Sequence, residues 1–187
     1  MTRRFLSVLI AVLFISQATV AWPADESLKL ALKQAIEDTS SFKDPVQARV
    51  WLADMSSRLK RKIPNPFYRL ELLRAVHTES IRVGLQPELV LSVIQVESAF
   101  DRFAISNYGA RGLMQVMPFW KKEIGHPRDN LFHPQTNLRY GCTILKYYLG
   151  KEKGNLTRAL ARYNGSTKTN KYPRRVYAAL KHKWYKQ

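Results

Sequence analysis

Cysteine, acid and long apolar runs are all scarce in this chain. A single cysteine, Cys142, among 187 residues excludes an internal disulfide framework and any thiolate-rich metal site. Asp and Glu number 14 against 31 Lys and Arg, a net charge of +17 and a pI of about 10.2. That balance excludes an acidic, freely diffusing metabolic enzyme. It points to an extended anionic partner: nucleic acid, a membrane surface or an anionic cell-wall polymer. Histidine is sparse too. His77, His126, His133 and His182 are scattered without metal-ligand spacing and no His-Glu-x-x-His pair occurs, so neither metal nor cofactor is expected. Gly-x-Ser-x-Gly is absent, which leaves serine–histidine nucleophilic catalysis without a motif. There is no repeat, no low-complexity tract and no sustained period-two alternation of the kind a sheet requires.

What is present begins with an export signal. Arg3 and Arg4 precede an apolar run from Phe5 to Ile15 broken only by Ser7, and Thr19-Val20-Ala21 offers the small residues a signal peptidase reads. Cleavage is expected after Ala21, leaving a periplasmic protein. The alternative is an uncleaved anchor, although the run is short for a span of roughly 20 residues. No later segment is apolar enough to cross a bilayer, so no integral span is expected in the mature protein. Export also argues against nucleic acid as the partner. The remaining charge is uneven: Trp22 to Val96 holds 11 basic and 9 acidic residues, Glu97 to Gln187 holds 18 and 5. Basic character therefore belongs to the C-terminal half.

Apolar spacing is helical throughout. Leu28, Leu32, Ala35 and Ile36 mark one helix, and Val46, Val50, Ala53 and Leu59 a second. The basic, proline-broken connector from Lys60 to Pro66 is the expected domain boundary: signal peptide 1–21, helical extension 22–63, main domain 64–187. The extension is either a brace for that domain or a docking surface for a partner. A third helix uses Leu70, Leu73, Val76 and Ile81 and ends at Gly84. Pro87 opens a fourth, running to Glu97. A loop follows to Ala110, then a short helical piece ending near Met117-Pro118 and another over Phe119 to Glu123. Pro134 opens a longer helix to about Leu149, Asn155 caps the next, and a last covers Tyr172 to Trp184. All eight glycines lie between Gly84 and Gly165, where the irregular segments concentrate. The class is all-α, with short helices around a cleft.

Glu97 stands out on spacing. Val90, Val93, Ile94 and Glu97 fall at i, i+3, i+4 and i+7, so a carboxyl extends the apolar stripe facing the core. It also sits at a helix C-terminus, where the macrodipole is negative. Both effects disfavour its charged form, and a carboxyl that keeps its proton near neutral pH is suited to general acid catalysis. The competing readings are a glutamate turned outward at a frayed end and one paired with Arg102. Cys142, among apolar neighbours in the helix opened by Pro134, reads as a buried, inert thiol, and Met114 reads as core.

Four blocks then carry a family likeness: Glu97-Ser98-Ala99-Phe100; Gly109-Ala110-Arg111-Gly112-Leu113-Met114-Gln115-Val116-Met117-Pro118; Asn137-Leu138-Arg139-Tyr140-Gly141; and Tyr163-Asn164-Gly165. With them the sequence resembles the soluble, goose-lysozyme-like lytic transglycosylases (family 1) over roughly residues 70–177. The resemblance implies a lysozyme-like all-α fold that cuts the β-1,4 bond between N-acetylmuramic acid and N-acetylglucosamine of peptidoglycan, leaving a 1,6-anhydro ring. It implies Glu97 as catalytic acid/base, Ser106 beside the reacting sugar, Gln115 and Met117 in the cleft, Tyr163 near the acid, and Asn164 beside it. After Glu97 only Asp101, Glu123, Asp129 and Glu152 are acidic and none lies in the blocks, which is compatible with one carboxyl serving twice. The implied partner is the peptidoglycan strand. Size and export signal are similar to those of the small transglycosylases that accompany secretion or conjugation complexes.

Two departures stand out. Ile144 occupies a position where the family often has tyrosine, and Arg162 precedes Tyr163 where alanine is usual, adding charge near the cleft. Arg139, Lys146, Arg162, Lys168, Lys171, Arg174 and Arg175 are candidate binders of stem-peptide carboxylates. A hydrolytic muramidase and a non-catalytic cationic peptidoglycan-binding module are the alternatives, and a DNA-binding protein comes third.

Overall fold

The apolar stripes read above resolve into seven α-helices in the computed structural model, which describes residues 41, 42 and 44–185. The expected signal peptide and the helix over Leu28–Ile36 lie outside the described residues. The helices are α1 (Pro45–Leu59), α2 (Pro66–Arg82), α3 (Pro87–Glu97), α4 (Trp120–Ile124), α5 (Pro134–Lys151), α6 (Leu156–Tyr163) and α7 (Lys171–Ala179), which continues into a π-helical turn over Leu180–Trp184. No strand forms among the described residues; only isolated antiparallel bridges join Ile105 to Arg111 and Arg111 to Val116. The fold is all-α, as expected. No helix among the described residues is long and apolar enough to cross a membrane.

Helix starts follow local chemistry. Proline opens α1, α2, α3 and α5, where its missing N–H costs nothing and its fixed φ suits the first turn. Asp44, Asn65 and Asn155 cap α1, α2 and α6 by accepting from Val46, Tyr68 and Arg158 N–H groups, each satisfying one orphan donor.

α1 forms where expected but, Leu59 apart, buries the other face. Ala48, Trp51, Leu52, Met55 and Leu59 enter the core, whereas Val46 and Val50 are more than half exposed and Ala53 is exposed. The helix carries two apolar stripes, and the one with Trp, Leu and Met removes more area from water. Ile81, expected on α2's buried face, is likewise exposed, while Leu70, Leu73 and Val76 are buried. The residues of α1 belong to the same core as α3, α5 and the Trp184 indole. Buried Arg69 ties the connector to them, donating to Ser56 Oγ at 2.7 Å and to the Ile63 carbonyl at 2.6 Å. Cys142 is fully buried, and burial pushes its thiol up to about 12.

The segment before Pro118 is a loop, not the short helix its apolar residues suggest. Gly109, Gly112 and Gln115 have φ of +81°, +74° and +50°, left-handed values that interrupt an α-helix. Side chains replace the helical ladder. Fully buried Asn137 on α5 accepts from Met114 N–H at 2.8 Å and donates to the Arg111 and Leu131 carbonyls at 2.8 and 2.7 Å. A Cβ on Gly112 would lie 2.5 Å from both Asn137 Nδ2 and the Leu131 carbonyl, so the close approach requires glycine.

Candidate active site

α3 ends at Glu97 because the chain turns left-handed two residues later: Ala99 and Phe100 have φ of +50° and +72°. Such values cost on the order of 1–2 kcal/mol per L-residue. Packing holds them. Phe100 is buried, its ring 5.5 Å from that of Trp184, whose Nε1–H donates to Gln95 Oε1 at 2.9 Å. Ser98 Oγ donates to the Leu113 carbonyl at 2.8 Å, joining the end of α3 to the Gly112–Met117 loop.

Val90, Val93 and Ile94 are fully buried, and the stripe carries Glu97 to the edge of the core, where it is partly buried. Desolvation raises its carboxyl from 4.5 to about 7, against the opposing effects of a Tyr172 hydrogen bond and the Arg175 charge. The Tyr172 hydroxyl, on the first turn of α7, donates to Glu97 Oε1 at 2.7 Å. Both Tyr172 and Tyr163 hold their protons well above the ordinary phenol range, chiefly through burial and then through the nearby Glu97 charge. Arg102, the suggested ion-pair partner, instead stands over the Phe103 ring at 4.7 Å and makes no ion pair with Glu97.

The other predicted residues fall as follows. Tyr163, at the end of α6, donates its hydroxyl to the Met114 carbonyl at 2.7 Å, which brings α6, the glycine-rich loop and Glu97 together. Gln115 Nε2 donates to the Ala104 and Gly112 carbonyls at 3.1 and 2.9 Å. Ser106 Oγ accepts from Ala110 N–H at 3.1 Å, closing the loop that follows Glu97. Met117 is partly buried, and Asn164 is the exposed C-cap of α6. Neither makes a hydrogen bond to Glu97.

Tyr172 and Asn137 were not singled out from the sequence. Asn137 stood in a matched block without a role. Tyr172 had one signal: with Val176 and Ala179 it forms an i, i+4, i+7 stripe, all buried, so its hydroxyl sits on a core-facing line. The two departures also find places. Ile144 packs in the core. Arg162 pairs with the buried Glu152, which also binds Arg158 at 2.6 Å, so its charge is offset in part by a carboxylate it shares.

The later acids are engaged locally. Asp101 accepts from Phe103 N–H at 2.8 Å; Asp129 accepts from the Tyr140 hydroxyl at 2.5 Å and from His126 N–H at 3.0 Å; Glu152 holds its two arginines. Glu123 is exposed on α4.

A helical scaffold that holds one half-sunken carboxyl against a glycine-rich loop defines a lysozyme-like protein. Residues 75–185, more than half of the chain, match the transglycosylase SLT domain, and the chain belongs to that family. It is 33% identical over 114 residues to a transglycosylase of Enterobacteria phage PRD1, covering 57% of this chain and 42% of that one. It is 31% identical over 109 residues to the membrane-bound lytic murein transglycosylase C of Photorhabdus laumondii, covering 50% and 30%. The fold is similar to that of an inactive mutant of lytic transglycosylase Slt from Pseudomonas aeruginosa, with a TM-score of 0.54 and 21% identity over 86% of this chain and 30% of that one. The chain thus spans less than half the length of these curated relatives.

Proposed function

We propose that this protein is a lytic transglycosylase that cuts the β-1,4 bond between N-acetylmuramic acid and N-acetylglucosamine in peptidoglycan, with Glu97 as the sole acid/base. One observation carries the reading: in a chain of this family, the carboxyl at the end of α3 keeps its proton up to about pH 7 and is braced by a phenol hydroxyl. In the first step Glu97 gives its proton to the glycosidic oxygen as the bond to C1 breaks. The resulting carboxylate, stabilised by the Tyr172 hydroxyl, then takes the proton of the sugar's own O6 hydroxyl as O6 bonds to C1. The 1,6-anhydro ring closes, Glu97 regains its proton and no water is consumed. The substrate's N-acetyl oxygen shares the positive charge at C1, in place of the second carboxylate that two-carboxylate glycosidases use. The local engagement of Asp101, Asp129 and Glu152 supports a single working carboxyl. Ser106, Gln115, Met117, Tyr163 and Asn164 line the sugar-binding surface in this reading.

The setting is part of the proposal. Residues 1–21 direct export to the periplasm, residues 64–187 form the catalytic domain, and residues 22–63 brace it; the burial of Trp51, Leu52, Met55 and Leu59 supports the brace. A cell-envelope secretion or conjugation complex is the proposed partner.

The test is mass spectrometry of purified peptidoglycan after incubation with the protein. Anhydro products, one water lighter than hydrolysed disaccharide-peptides, are expected. Reducing-end products would make it a hydrolase, and binding without cleavage would make it a binding module.

A further inference from the structure

Five arginines elsewhere are held by an acid: Arg58 by Asp54, Arg82 and Arg139 by a shared Glu79, Arg158 and Arg162 by a shared Glu152. The first turns of α7 differ. Lys171, Arg174 and Arg175 are all exposed, and none has a carboxylate within ion-pair distance among the described residues. Two open grooves meet on this face at Arg175 and Ala178. One runs past Lys171 and Arg174; the other passes His182 and Lys183 to Gln95 and Val96, the residues preceding Glu97. Arg175 Nη2 donates to the Val96 carbonyl over a long 3.4 Å, a weak contact that leaves the rest of the guanidinium fork to take another acceptor.

The trough therefore offers positive charge within reach of the candidate acid, with no ion-pair partner among the described residues. On the proposed glycan-cleaving reading, on which this inference rests, the substrate bears peptides with free carboxylates on alternate sugars. We propose that the α7 trough takes a carboxylate of the peptide carried by the muramic acid at the bond being cut, with Arg175 making the contact nearest Glu97. Arg175 is then a specificity-determining residue: it separates strands that carry peptides from strands that do not. It also couples binding to chemistry. The groups facing Glu97 are Tyr163 from α6 and Tyr172 and Arg175 from α7, and Arg175 is the only cation among them. A carboxylate drawn onto Arg175 cancels the one charge that favours ionised Glu97, so the acid holds its proton more firmly once an anionic strand is bound.

The experiment compares kcat and KM on peptidoglycan strands with peptides attached and on the same strands stripped of them, for the wild-type protein, Arg175→Gln and Arg175→Lys. For Arg175→Gln the ratio of kcat/KM on peptide-bearing to stripped strands should fall about fivefold, mainly through KM, the upper weight of one solvent-exposed ion pair. Arg175→Lys should recover much of the ratio by keeping the charge. The alkaline limb of kcat/KM should also move to higher pH in Arg175→Gln, which a purely structural defect would not produce. Equal losses on both substrates, or an unaltered ratio, overturn the proposal. Failure of the wild-type protein to cut either substrate overturns the glycan-cleaving reading itself, and this inference falls with it.

Discussion

Replacing Glu97 by glutamine should stabilise the protein above neutral pH while it abolishes cleavage. Burial raises the Glu97 carboxyl from 4.5 to about 7 in the folded state. Between those values the folded chain holds a proton that the unfolded chain has released. Stability contributed by this group is therefore complete below pH 4.5, declines as pH rises, and is lost above 7. A shift of about 2.5 units corresponds to about 3 kcal/mol at most, and about 2 kcal/mol once water around the partly buried group is allowed for. Glutamine keeps the size and can still accept the Tyr172 hydrogen bond but has no proton to lose. Denaturant unfolding of both proteins from pH 5 to 8.5 isolates this residue, because every other titrating group is common to the pair. The stability difference in favour of Glu97→Gln should grow by about 2 kcal/mol across that range, while cleavage drops on the order of 10²–10⁴-fold, the weight of general acid catalysis. A stability difference independent of pH would refute the claim that Glu97 is buried and proton-holding. Retained cleavage by the folded variant would refute its role.

Three further outcomes follow from the same contacts. Tyr172→Phe removes the hydroxyl that favours ionised Glu97, so the alkaline limb of kcat/KM should move up by about one pH unit; a downward move would contradict the geometry. Asn137→Ala leaves Met114 N–H and the Leu131 carbonyl without their side-chain partner and removes one of two donors to the Arg111 carbonyl, which keeps Val116 N–H. It should cost about 2–4 kcal/mol in unfolding experiments, at 1–3 kcal/mol for each of the two unpaired groups with some relaxation, and it should lower cleavage by loosening the loop. His77 is buried against Phe42, and desolvation lowers it from 6.5 to about 4. Its stability contribution is present above 6.5 and lost as pH falls toward 4, opposite in sense to Glu97, so His77→Gln should flatten the acid side of the unfolding profile.

Helix existence was readable because proline and Asn signals coincide with apolar stripes: Pro87 and Asn155 start helices where the pattern says they should. Which stripe turns inward was not readable for α1, since Val46/Val50 and Trp51/Met55 compete on one helix and only the neighbouring surface chooses. The Arg111–Met117 segment misled for another reason. Its apolar residues fit a helical turn, but Asn137, 23 residues beyond Met114, supplies the partners that make a loop the better structure.

The sequence by itself determined the all-α class, the basic C-terminal half and the position of a carboxyl on an apolar stripe, because these follow from local periodicity and composition. Tertiary structure alone decided what surrounds that carboxyl. Tyr172 lies 75 residues from Glu97 in the chain yet 2.7 Å from its oxygen, and the arginine before Tyr163 pairs with a glutamate ten residues earlier. Proton affinity depends on burial and on charges within a few ångströms, and those distances exist only after the helices have packed.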